Sequence, residues 1–326
     1  MPILTTQFND LVKNAKVQWR NGFDRVAPAA RQLYDVSSVA VMTSEHSQID
    51  GYTFAKRKLE GESYTIGNIK QGYKLNLSQS RIGLMDTVTW EMRKFDKYRE
   101  IEKKMTKLGE ATAQRIELDL THQFTFGMAG ASYTNMDGET VSTATGDGQN
   151  IFDTDHTTTG GTTGIANLIT TAFSRAGLEE AETLFTKFVD NNGNKVIVQP
   201  DTIITTDDPA LVNSVKEFLK STQIPDMANN AVNVYSGKYK HIILPYLATD
   251  KDGAYDSTKA NYWMLADLGN KDAILEISEN PTFKAPSIGG NGEEFETDDW
   301  KFKSSATYDY GVLDFKWIVG STGATS

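Results

Sequence analysis

The sequence contains no cysteine among its 326 residues. This absence excludes disulfide-stapled scaffolds, thiolate zinc sites, iron–sulfur clusters and cysteine nucleophiles. No apolar run approaches the roughly 20 residues of a membrane-spanning helix, and the first residues carry neither a basic leader nor a signal-type apolar stretch. We therefore expect a protein that has no membrane partner and is made in a reducing cytoplasm.

Sequence motifs of catalysis are also missing. There is no G-x-S-x-G turn, no Walker-type phosphate loop and no H-E-x-x-H helix. The chain has four histidines, and no two of them are close in sequence. We therefore expect a protein that is not an enzyme and that binds neither a cofactor nor a metal ion.

Asp153, Asp155 and His156 form the densest group of potential ligands. Two carboxylates and an imidazole could bind a metal or transfer a proton, as a cytoplasmic hydrolase would require. In the alternative, which we favour, Asp153 and Asp155 accept hydrogen bonds from loop amides and His156 bonds a neighbouring turn.

A second acidic segment resembles part of a calcium-binding loop. It contains Asp250, Asp252 and Asp256 around Gly253. Because the glutamate that closes such a loop is missing, we expect an exposed turn.

The charge of the chain is acidic overall and uneven along its length. The net charge of −10 argues against a module that binds duplex nucleic acid, because such binding needs clustered cations. Residues 1–90 carry 11 cations and 8 acids, whereas residues 247–326 carry 7 cations and 14 acids. One interpretation is chance variation of the surface. The other is that the basic first part lies against the acidic last part of a neighbouring copy.

The residues predicted to make these inter-subunit contacts are basic in the first part of the chain and acidic in the last. They are Lys56, Arg57, Lys58, Lys70, Glu293, Glu294, Glu296, Asp298 and Asp299. An acidic run of this kind is by itself typical of a solvated face, so the hypothesis depends on the pairing of the two sets.

The first part of the chain predicts an arm followed by a ribbon. Residues 1–48 are expected to be largely extended, with one amphipathic segment at residues 6–20 and too little apolar surface to fold alone. The polar residues 43–48 are predicted to separate this arm from a long β-hairpin at residues 49–81. Because a two-stranded ribbon is marginal in water, it must lie on its own domain or reach another subunit.

The two strands of this hairpin are predicted from alternation of apolar and polar residues. Tyr73, Leu75 and Leu77 alternate with polar residues on the return strand, and Tyr52 and Phe54 do so on the outgoing strand. The tip between them is rich in glycine and charge.

Residues 89–126 predict one uninterrupted helix. Apolar residues recur every three or four positions in its first half, and no proline interrupts it. Such a helix would span roughly 57 Å, far more than an ordinary helix of three turns. Because the apolar stripe narrows after Leu108, we expect a strut on the surface rather than a helix buried in the core.

Residues 127–164 are expected to be a loop, and short alternating strands and helices after them predict an α/β domain. A helix is predicted to start at Asp208-Pro209, which combines an acidic cap with proline in the first turn. The remaining predicted elements are a helix at residues 178–188, strands at 195–199, 202–206, 241–244, 262–268 and 273–277, and two closing strands at 300–319 joined near residues 309–311.

The order of these parts resembles the major capsid proteins of tailed bacteriophages, with the Hong Kong ninety-seven-type fold, and is most similar to the Mu-type major head subunits. The similarity extends over essentially the whole chain. It is carried by N-I-F-D-T-D-H at residues 150–156 with the Thr/Gly-rich loop to Gly164, by the strand leading to Pro200, by N-Y-W-M-L-A-D at residues 261–267 and by residues 308–319.

The resemblance implies an α+β, capsid-type fold with five segments. These are an N-terminal arm at residues 1–48, an extended β-hairpin loop at 49–88, a peripheral domain with a long spine helix at 89–164, an α/β axial domain at 165–290, and closing strands at 291–326. Such a chain would assemble with its own copies into hexamers and pentamers of an icosahedral shell around double-stranded DNA.

The resemblance also implies partners and a location. These would be a separate scaffold protein, a portal and decoration proteins, with packaged DNA bound without sequence specificity, in a virion assembled in the bacterial host cytoplasm. Some members of the family join subunits by a Lys–Asn cross-link. Because no asparagine follows Asn291, we expect non-covalent contacts instead. The alternatives are an encapsulin-like compartment shell or a tail-tube protein.

Overall fold

The computed structural model describes residues 5–49, 51–52, 54–67, 71–95, 99–223, 232–286 and 298–324. Its helices are α1 (Thr5–Arg25), α2 (Trp90–Phe95), α3 (Glu100–Gly127), α4 (Arg175–Phe185) and α5 (Pro209–Lys220). Its strands are β1 (Asp35–Ser38), β2 (Thr43–Ile49), β3 (Gln71–Ser78), β4 (Ser80–Val88), β5 (Ser132–Thr134), β6 (Thr140–Ser142), β7 (Leu168–Thr171), β8 (Thr202–Thr205), β9 (Lys240–Ile243), β10 (Trp263–Ala266), β11 (Ala273–Lys284), β12 (Trp300–Val312) and β13 (Ile318–Ala324). None of the described helices is both long enough and apolar enough to cross a membrane.

A four-stranded sheet with the order β1-β11-β12-β4 forms one half of the fold. The long strand β12 is its centre and pairs antiparallel with β11 on one side and with β4 on the other. The prediction that the two closing strands form a hairpin near residues 309–311 is wrong. Strand β12 runs on to Val312, and β13 lies in a different sheet, because the segment between them turns into the core.

The other half is a five-stranded sheet with the order β7-β13-β10-β8-β9. All four residues of β8 and of β10 are buried, as expected for central strands covered on both faces. The strand predicted at residues 195–199 is absent, because this stretch alternates between exposed and half-buried positions without a partner strand. In the stretch predicted to be a loop, β5 and β6 form a short antiparallel hairpin.

Of the two helices that cover the five-stranded sheet, α5 begins at the predicted Asp208-Pro209, whereas α4, predicted at residues 178–188, begins at Arg175 and ends at Phe185. The Asp208 carboxylate accepts hydrogen bonds from the amides of Ala210 and Leu211, and Pro209 occupies the first turn, where its missing N–H costs nothing. The Ser174 hydroxyl likewise accepts from the amide of Gly177 at the start of α4. Leu178, Ala181 and Phe185 then bury one face of α4.

The predicted continuous helix at residues 89–126 is divided into two helices. Helix α3 begins at Glu100, and the residue before it, Arg99, has a left-handed backbone conformation with φ of 54°. The short helix α2 precedes this break. The sequence carries no sign of the break, because neither proline nor glycine lies there.

Helix α3 also lies deeper than predicted. Residues 117–125 are all buried, although six of them are polar or charged. The Glu117 carboxylate accepts from the amide of Ala30 at 2.5 Å, and the Asp119 carboxylate accepts from Tyr308 at 2.7 Å. The prediction of a surface strut failed because these polar side chains find partners that are distant in sequence and therefore do not need solvent.

The N-terminal arm packs on α3 of its own chain. Trp19 and Ala15 are buried against Met105 and Leu108. The two helices approach very closely at Gly109, where an added Cβ would lie 2.0 Å from the carbonyl oxygen of Trp19. The amphipathic segment predicted at residues 6–20 is therefore confirmed as part of α1, and the helix continues to Arg25 because α3 completes its apolar stripe.

Candidate assembly surface

The candidate surface is a ribbon, residues 41–78, that projects from the place where the two sheets meet. Its base is the antiparallel pair β2–β3, with Thr43 opposite Ser78 and Ile49 opposite Gln71. The return strand β3 confirms the predicted alternation. The outgoing strand lies at residues 43–49 and not at Tyr52 and Phe54, because β2 pairs through a segment that looks like a polar separator.

Polar side chains attach β2 to the body of the protein. Ser44, His46 and Gln48 alternate along one face of the strand. The Ser44 hydroxyl and the His46 Nε2 contact the buried Glu276 carboxylate at 2.5 and 2.7 Å, and the Gln48 amide donates to Asp314 at 2.7 Å. The inner face of β2 is therefore a row of hydrogen-bonding groups that meets carboxylates.

Apolar side chains attach β3. Tyr73 and Leu77 are buried, and the side chains of Leu75 and Leu77 lie 3.1 Å from the point where a Cβ on Gly311 would be. Glycine at this position of β12 therefore lets the ribbon base lie directly on the sheet. Strand β3 is held both by this contact and by the Ser78 amide, which donates to the Asp309 carboxylate at 2.6 Å.

A polar cavity of about 450 Å³ lies beside the ribbon base and is lined by Gln48, Asp272, Asp314 and Lys316, among others. Lys316 and Asp314 form a buried ion pair at 2.7 Å. Burial, and then the nearby charge of Asp314, raise the pKa of Asp272 to about 6. Because Gln48 of the ribbon and Lys316 both bond Asp314, this cavity marks the place where the ribbon base is attached to the body.

Beyond its base, the ribbon exposes apolar side chains. Ile66 is 94% exposed, Tyr64 80% and Phe54 75%. Tyr52 and Leu59 are also exposed beyond the base, and so are Ile49 at the end of β2 and Val41 and Met42 before it. Sequence reasoning missed Leu59, Tyr64 and Ile66. The signal that could have found them is a group of apolar residues, without helical or strand periodicity, between the two predicted strands. So many large apolar side chains on one segment mark a surface that binds another molecule.

The predicted basic residues of the ribbon lie among these apolar side chains. Lys56, Arg57 and Lys58 are all exposed. Lys58 places its ammonium 4.7 Å from the centre of the Tyr64 ring. Within the described ranges none of the three forms an ion pair, so all three charges are available to a partner. Lys70 lies outside the described residues.

The predicted acidic partners are only partly described. Glu293, Glu294 and Glu296 lie outside the described residues. Asp298 is exposed with φ of 57°, and its carbonyl accepts a hydrogen bond from Arg93, whose guanidinium lies 4.0 Å from the Trp300 ring. Asp299 is half-buried beside it.

The ribbon base and the acidic residues lie toward opposite ends of β12. Asp298 and Asp299 precede Trp300, and the ribbon base packs near Gly311. At about 3.3 Å per residue, Trp300 and Gly311 are roughly 40 Å apart along the strand. The structure does not bring Lys56, Arg57 or Lys58 into an ion pair with Asp298 or Asp299.

The segment with Asp153, Asp155 and His156 serves the loop, as in the interpretation that we favour. The Asp153 carboxylate accepts from the amides of Thr154 and Asp155, and the Asp155 carboxylate accepts from the amide of Gly164. His156 is fully buried and contacts Asp147 at 2.8 Å. The three side chains therefore do not converge on a substrate.

The segment around Asp250 is a turn, as expected. The Asp250 carboxylate accepts from the amides of Asp252 and Ala254, and the Asp256 carboxylate accepts from Thr258 and pairs with Lys259. Hydrogen bonds from Thr258 and then Lys259 lower the pKa of Asp256 to about 2. No group of three or more potential metal ligands occurs in the part of the chain that the structure describes.

Comparisons with known proteins identify the family. A family model described as phage capsid protein matches residues 72–321. No curated protein matches the sequence. Among solved structures, the capsid of cyanophage P-SCSP1u is similar with a TM-score of 0.55 and 10% identity, over 90% of this chain and 87% of that chain.

A chain of Gordonia phage Cozz is similar with a TM-score of 0.54 and 11% identity, over 92% of this chain and 87% of that chain. A chain of Microbacterium phage Oxtober96 has a TM-score of 0.50 and 10% identity, over 90% of each chain. At such low identity these structures show the fold, and they agree with the expected α+β capsid-type fold. The chain therefore belongs to the phage capsid protein family: it is a major capsid protein, a structural protein of the virion that assembles with its own copies into the shell.

Proposed function

We propose that this capsid protein builds an icosahedral head of the Hong Kong ninety-seven type, from hexamers and pentamers, around double-stranded DNA. The observation that carries the proposal is the ribbon. Its large apolar side chains between β2 and β3 are exposed, and Lys56, Arg57 and Lys58 form no ion pair within the described chain, whereas most large apolar side chains of the body lie in three buried clusters. A second copy supplies the missing partner.

The segments of such a subunit follow from this proposal. Residues 1–48 are the arm, 49–88 the extended loop, 89–164 the peripheral domain with α3 as spine, 165–290 the axial domain and 291–326 the closing strands. Strand β4 lies in the four-stranded sheet, which supports a division in which the loop proper ends near residue 79. The order of the parts supports a relation to Mu-type head subunits.

The same proposal covers activity and partners. The subunit performs no catalysis, since the described Asp153, Asp155 and His156 are engaged in loop hydrogen bonds. A scaffold protein, a portal and decoration proteins complete the head, which forms in the host cytoplasm and is held by non-covalent contacts. The net charge of −10 suits a wall that encloses DNA without binding it tightly.

Within the shell, we propose that the basic residues of the ribbon contact the acidic segment before β12 of a neighbouring copy. Three arguments support this contact. Lys56, Arg57 and Lys58 are exposed and form no ion pair within the described chain, the acidic residues lie toward the far end of β12, and complementary charges favour the correct register over others.

Charge reversal tests this contact. The triple variant Lys56→Glu, Arg57→Glu, Lys58→Glu places like charges opposite each other and is expected to abolish closed shells in electron micrographs. The matched control reverses Lys216, Lys220 and Lys240, which lie on the five-stranded sheet and its helix and change the net charge equally.

The reciprocal variant distinguishes a specific contact from a general effect of charge. Adding Asp298→Lys and Asp299→Lys to the triple variant is expected to restore part of the assembly. Normal shells from the triple variant alone would contradict the contact, and loss of shells in the control as well would show that total charge rather than this contact is decisive.

A further inference from the structure

The four-stranded sheet has one face that is covered by helices. In β12, Phe302 is buried together with Met105 of α3, and the Ser304 hydroxyl accepts a hydrogen bond from Trp19 of α1 at 3.0 Å. Successive side chains of a strand point to opposite faces, so Lys303 lies on the face that is turned away from these helices. We call this second face the outer face.

The ribbon base covers only one end of the outer face. Leu75 and Leu77 pack there at Gly311, near the end of β12. Toward the start of β12 the outer face is exposed, because Lys303 and Met85 are both exposed. This exposed part of the outer face is therefore available to a second molecule.

Two lysines are neighbours on the exposed part of the outer face. Lys303 lies directly opposite Lys284 of β11 on one side and Met85 of β4 on the other. Residues directly opposite each other point to the same face, and like charges in such a pair destabilise a sheet. We call Lys284, Lys303 and Met85 the lysine row. Because its two charges repel each other within one chain, the row indicates an anionic partner.

The described chain supplies little negative charge to the lysine row. The Glu279 carboxylate lies 3.7 Å from the Lys284 ammonium, but it is also paired with Arg81 at 2.9 Å. Among the residues that the structure describes, Lys303 forms no ion pair. Three cations therefore meet one carboxylate here, although the chain as a whole has a net charge of −10.

The tip of the ribbon carries the complementary charge. Residues 59–62 form a turn, in which the amide of Glu62 donates to the carbonyl of Leu59 at 3.2 Å. The limbs behind the turn lie side by side, since the Lys58 ammonium is 4.7 Å from the centre of the Tyr64 ring. Glu60 and Glu62 are exposed, and within the described ranges neither forms an ion pair. The tip thus presents two carboxylates.

We propose that the ribbon tip of one copy docks on the outer face of a neighbouring copy, where Glu60 and Glu62 bind the ammonium groups of Lys284 and Lys303. The docking rests on the proposed contact of residues 56–58 with the acidic segment before β12, and it names the surface that receives the tip. Opposite charges brought together in this way favour the correct register of the two copies.

The order and the spacing of the charges agree on the two surfaces. Along the ribbon, the cations at residues 56–58 are followed by the carboxylates of the tip, and along β12 the acidic segment is followed by Lys303. Arg57 and Gly61 at the centre of the tip are four residues apart, as are Asp299 and Lys303. Each separation is about 13 Å in extended chain, so both contacts can form in one docked position.

The outer face also has room for the tip. The ribbon base of the receiving copy contacts β12 at Asp309, where the Ser78 amide donates to the carboxylate. Asp309 is about 20 Å along the strand from Lys303, so the tip does not displace the base. Leu59 of the tip and Met85 of the row are both exposed, and their contact removes apolar surface from water.

Packaged DNA fits the lysine row less well than the ribbon tip. A phosphate backbone at Lys303 would also approach the carboxylates of Glu279 and of the acidic segment, and binding of duplex DNA depends on cations without such neighbours. The ribbon avoids this repulsion, because its own cations lie where the acidic segment is. The anion is therefore assigned to a second copy.

Charge exchange tests the docking. The tip variant Glu60→Lys, Glu62→Lys and the face variant Lys284→Glu, Lys303→Glu each place like charges opposite each other. Each is expected to lower the number of closed shells in electron micrographs by at least about tenfold. The four substitutions together restore opposite charges and are expected to recover most of the shells.

The outcomes separate this docking from the contact on which it rests. Normal shells from the tip variant or from the face variant would overturn the docking and leave the contact of residues 56–58 standing. Loss of shells in both variants without recovery in the combined variant would show that the row binds another anion, such as DNA, and would also overturn it.

A matched control isolates the effect of total charge. The variant Lys216→Glu, Lys240→Glu reverses two exposed lysines of α5 and β9 and changes the net charge as the face variant does. It is expected to form normal shells. Loss of shells in this control as well would overturn the docking, because total charge would then be decisive.

A last test needs no assembly. The variant Lys303→Glu places an opposite charge beside Lys284, so the midpoint of urea unfolding of the unassembled chain is expected to rise while the number of shells falls. A residue that only supports the sheet would change both in the same direction. A midpoint that stays constant or falls would mean that Lys303 is already neutralised within its own chain, and it would overturn the proposal.

Discussion

Two segments of this capsid protein reverse the usual distribution of polar and apolar residues. The second half of α3, residues 117–125, buries polar side chains, whereas the ribbon beyond β2 exposes large apolar ones. In α3, Glu117, Asp119 and His122 each have a hydrogen-bonding partner within the same chain. Phe54, Tyr64 and Ile66 of the ribbon, by contrast, are not buried against any described residue of the chain.

The difference separates what is complete within one chain from what requires another. A buried polar side chain costs stability unless it is paired, so the pairing in α3 shows a segment shaped for a single subunit. An exposed apolar surface costs solubility unless it is covered, so the ribbon indicates a segment shaped for assembly.

The largest effect on stability is expected for Asp119→Ala. This change leaves Arg115 and the Tyr308 hydroxyl without their buried acceptor and is expected to lower the free energy of unfolding by about 3–5 kcal/mol. Equilibrium urea unfolding of the unassembled chain measures it. The control is Asp137→Ala, which removes the exposed second partner of Arg115 and is expected to cost less than about 1 kcal/mol. Equal losses would show that α3 does not depend on buried pairing.

A smaller effect is expected from the titration of His122. Burial, and then the nearby charges of Lys259 and Arg115, lower the pKa of His122 to about 4. Between about pH 6.5 and pH 4, His122 therefore binds a proton in the unfolded chain but not in the folded chain. As the pH falls through this range, the free energy of unfolding decreases by up to about 1.4 kcal/mol per pH unit because of this group.

The variant His122→Gln isolates this contribution, because a glutamine can still bond the Thr249 hydroxyl but does not titrate. The stability of the wild type relative to the variant is expected to fall by about 2–3 kcal/mol from pH 7 to pH 4, measured by urea unfolding at each pH. The wild type must be compared with the variant at each pH because Glu117 and Asp119 change the stability in the opposite direction. Their pKa values are raised, mainly by burial. A difference that does not change with pH would refute the buried, neutral state of His122.

The elements that could be predicted from sequence are those whose signals are local. The return strand β3 follows from the alternation of Tyr73, Leu75 and Leu77, and α5 follows from Asp208-Pro209. These signals lie within a few residues of the element that they determine. The α+β capsid-type fold as a whole was expected from the resemblance in the order of the parts, and not from these local patterns.

The elements that could not be predicted depend on partners distant in sequence. Strand β2 is polar because Ser44 and His46 meet Glu276, more than 200 residues away. The second half of α3 is buried because Glu117 and Asp119 bond the amide of Ala30 and the hydroxyl of Tyr308. The charge pattern of the sequence indicated that the ribbon takes part in assembly. Its exposed apolar residues became evident only from the fold, which shows that they are not buried against their own chain.

The smallest effect on stability is expected at the tip of the ribbon, where the effect on assembly is large. Replacing Phe54, Tyr64 and Ile66 together by serine removes side chains that are 75%, 80% and 94% exposed, so the free energy of unfolding is expected to change by less than about 0.5 kcal/mol. Shells counted in electron micrographs are expected to be lost, because the apolar area that a neighbour would cover is gone. The control Leu77→Ser, at the buried ribbon base, is expected to destabilise the chain itself by about 2–5 kcal/mol. If the triple variant also unfolded more easily, the tip would pack on its own chain; if it formed normal shells, the exposed apolar side chains would have no part in assembly.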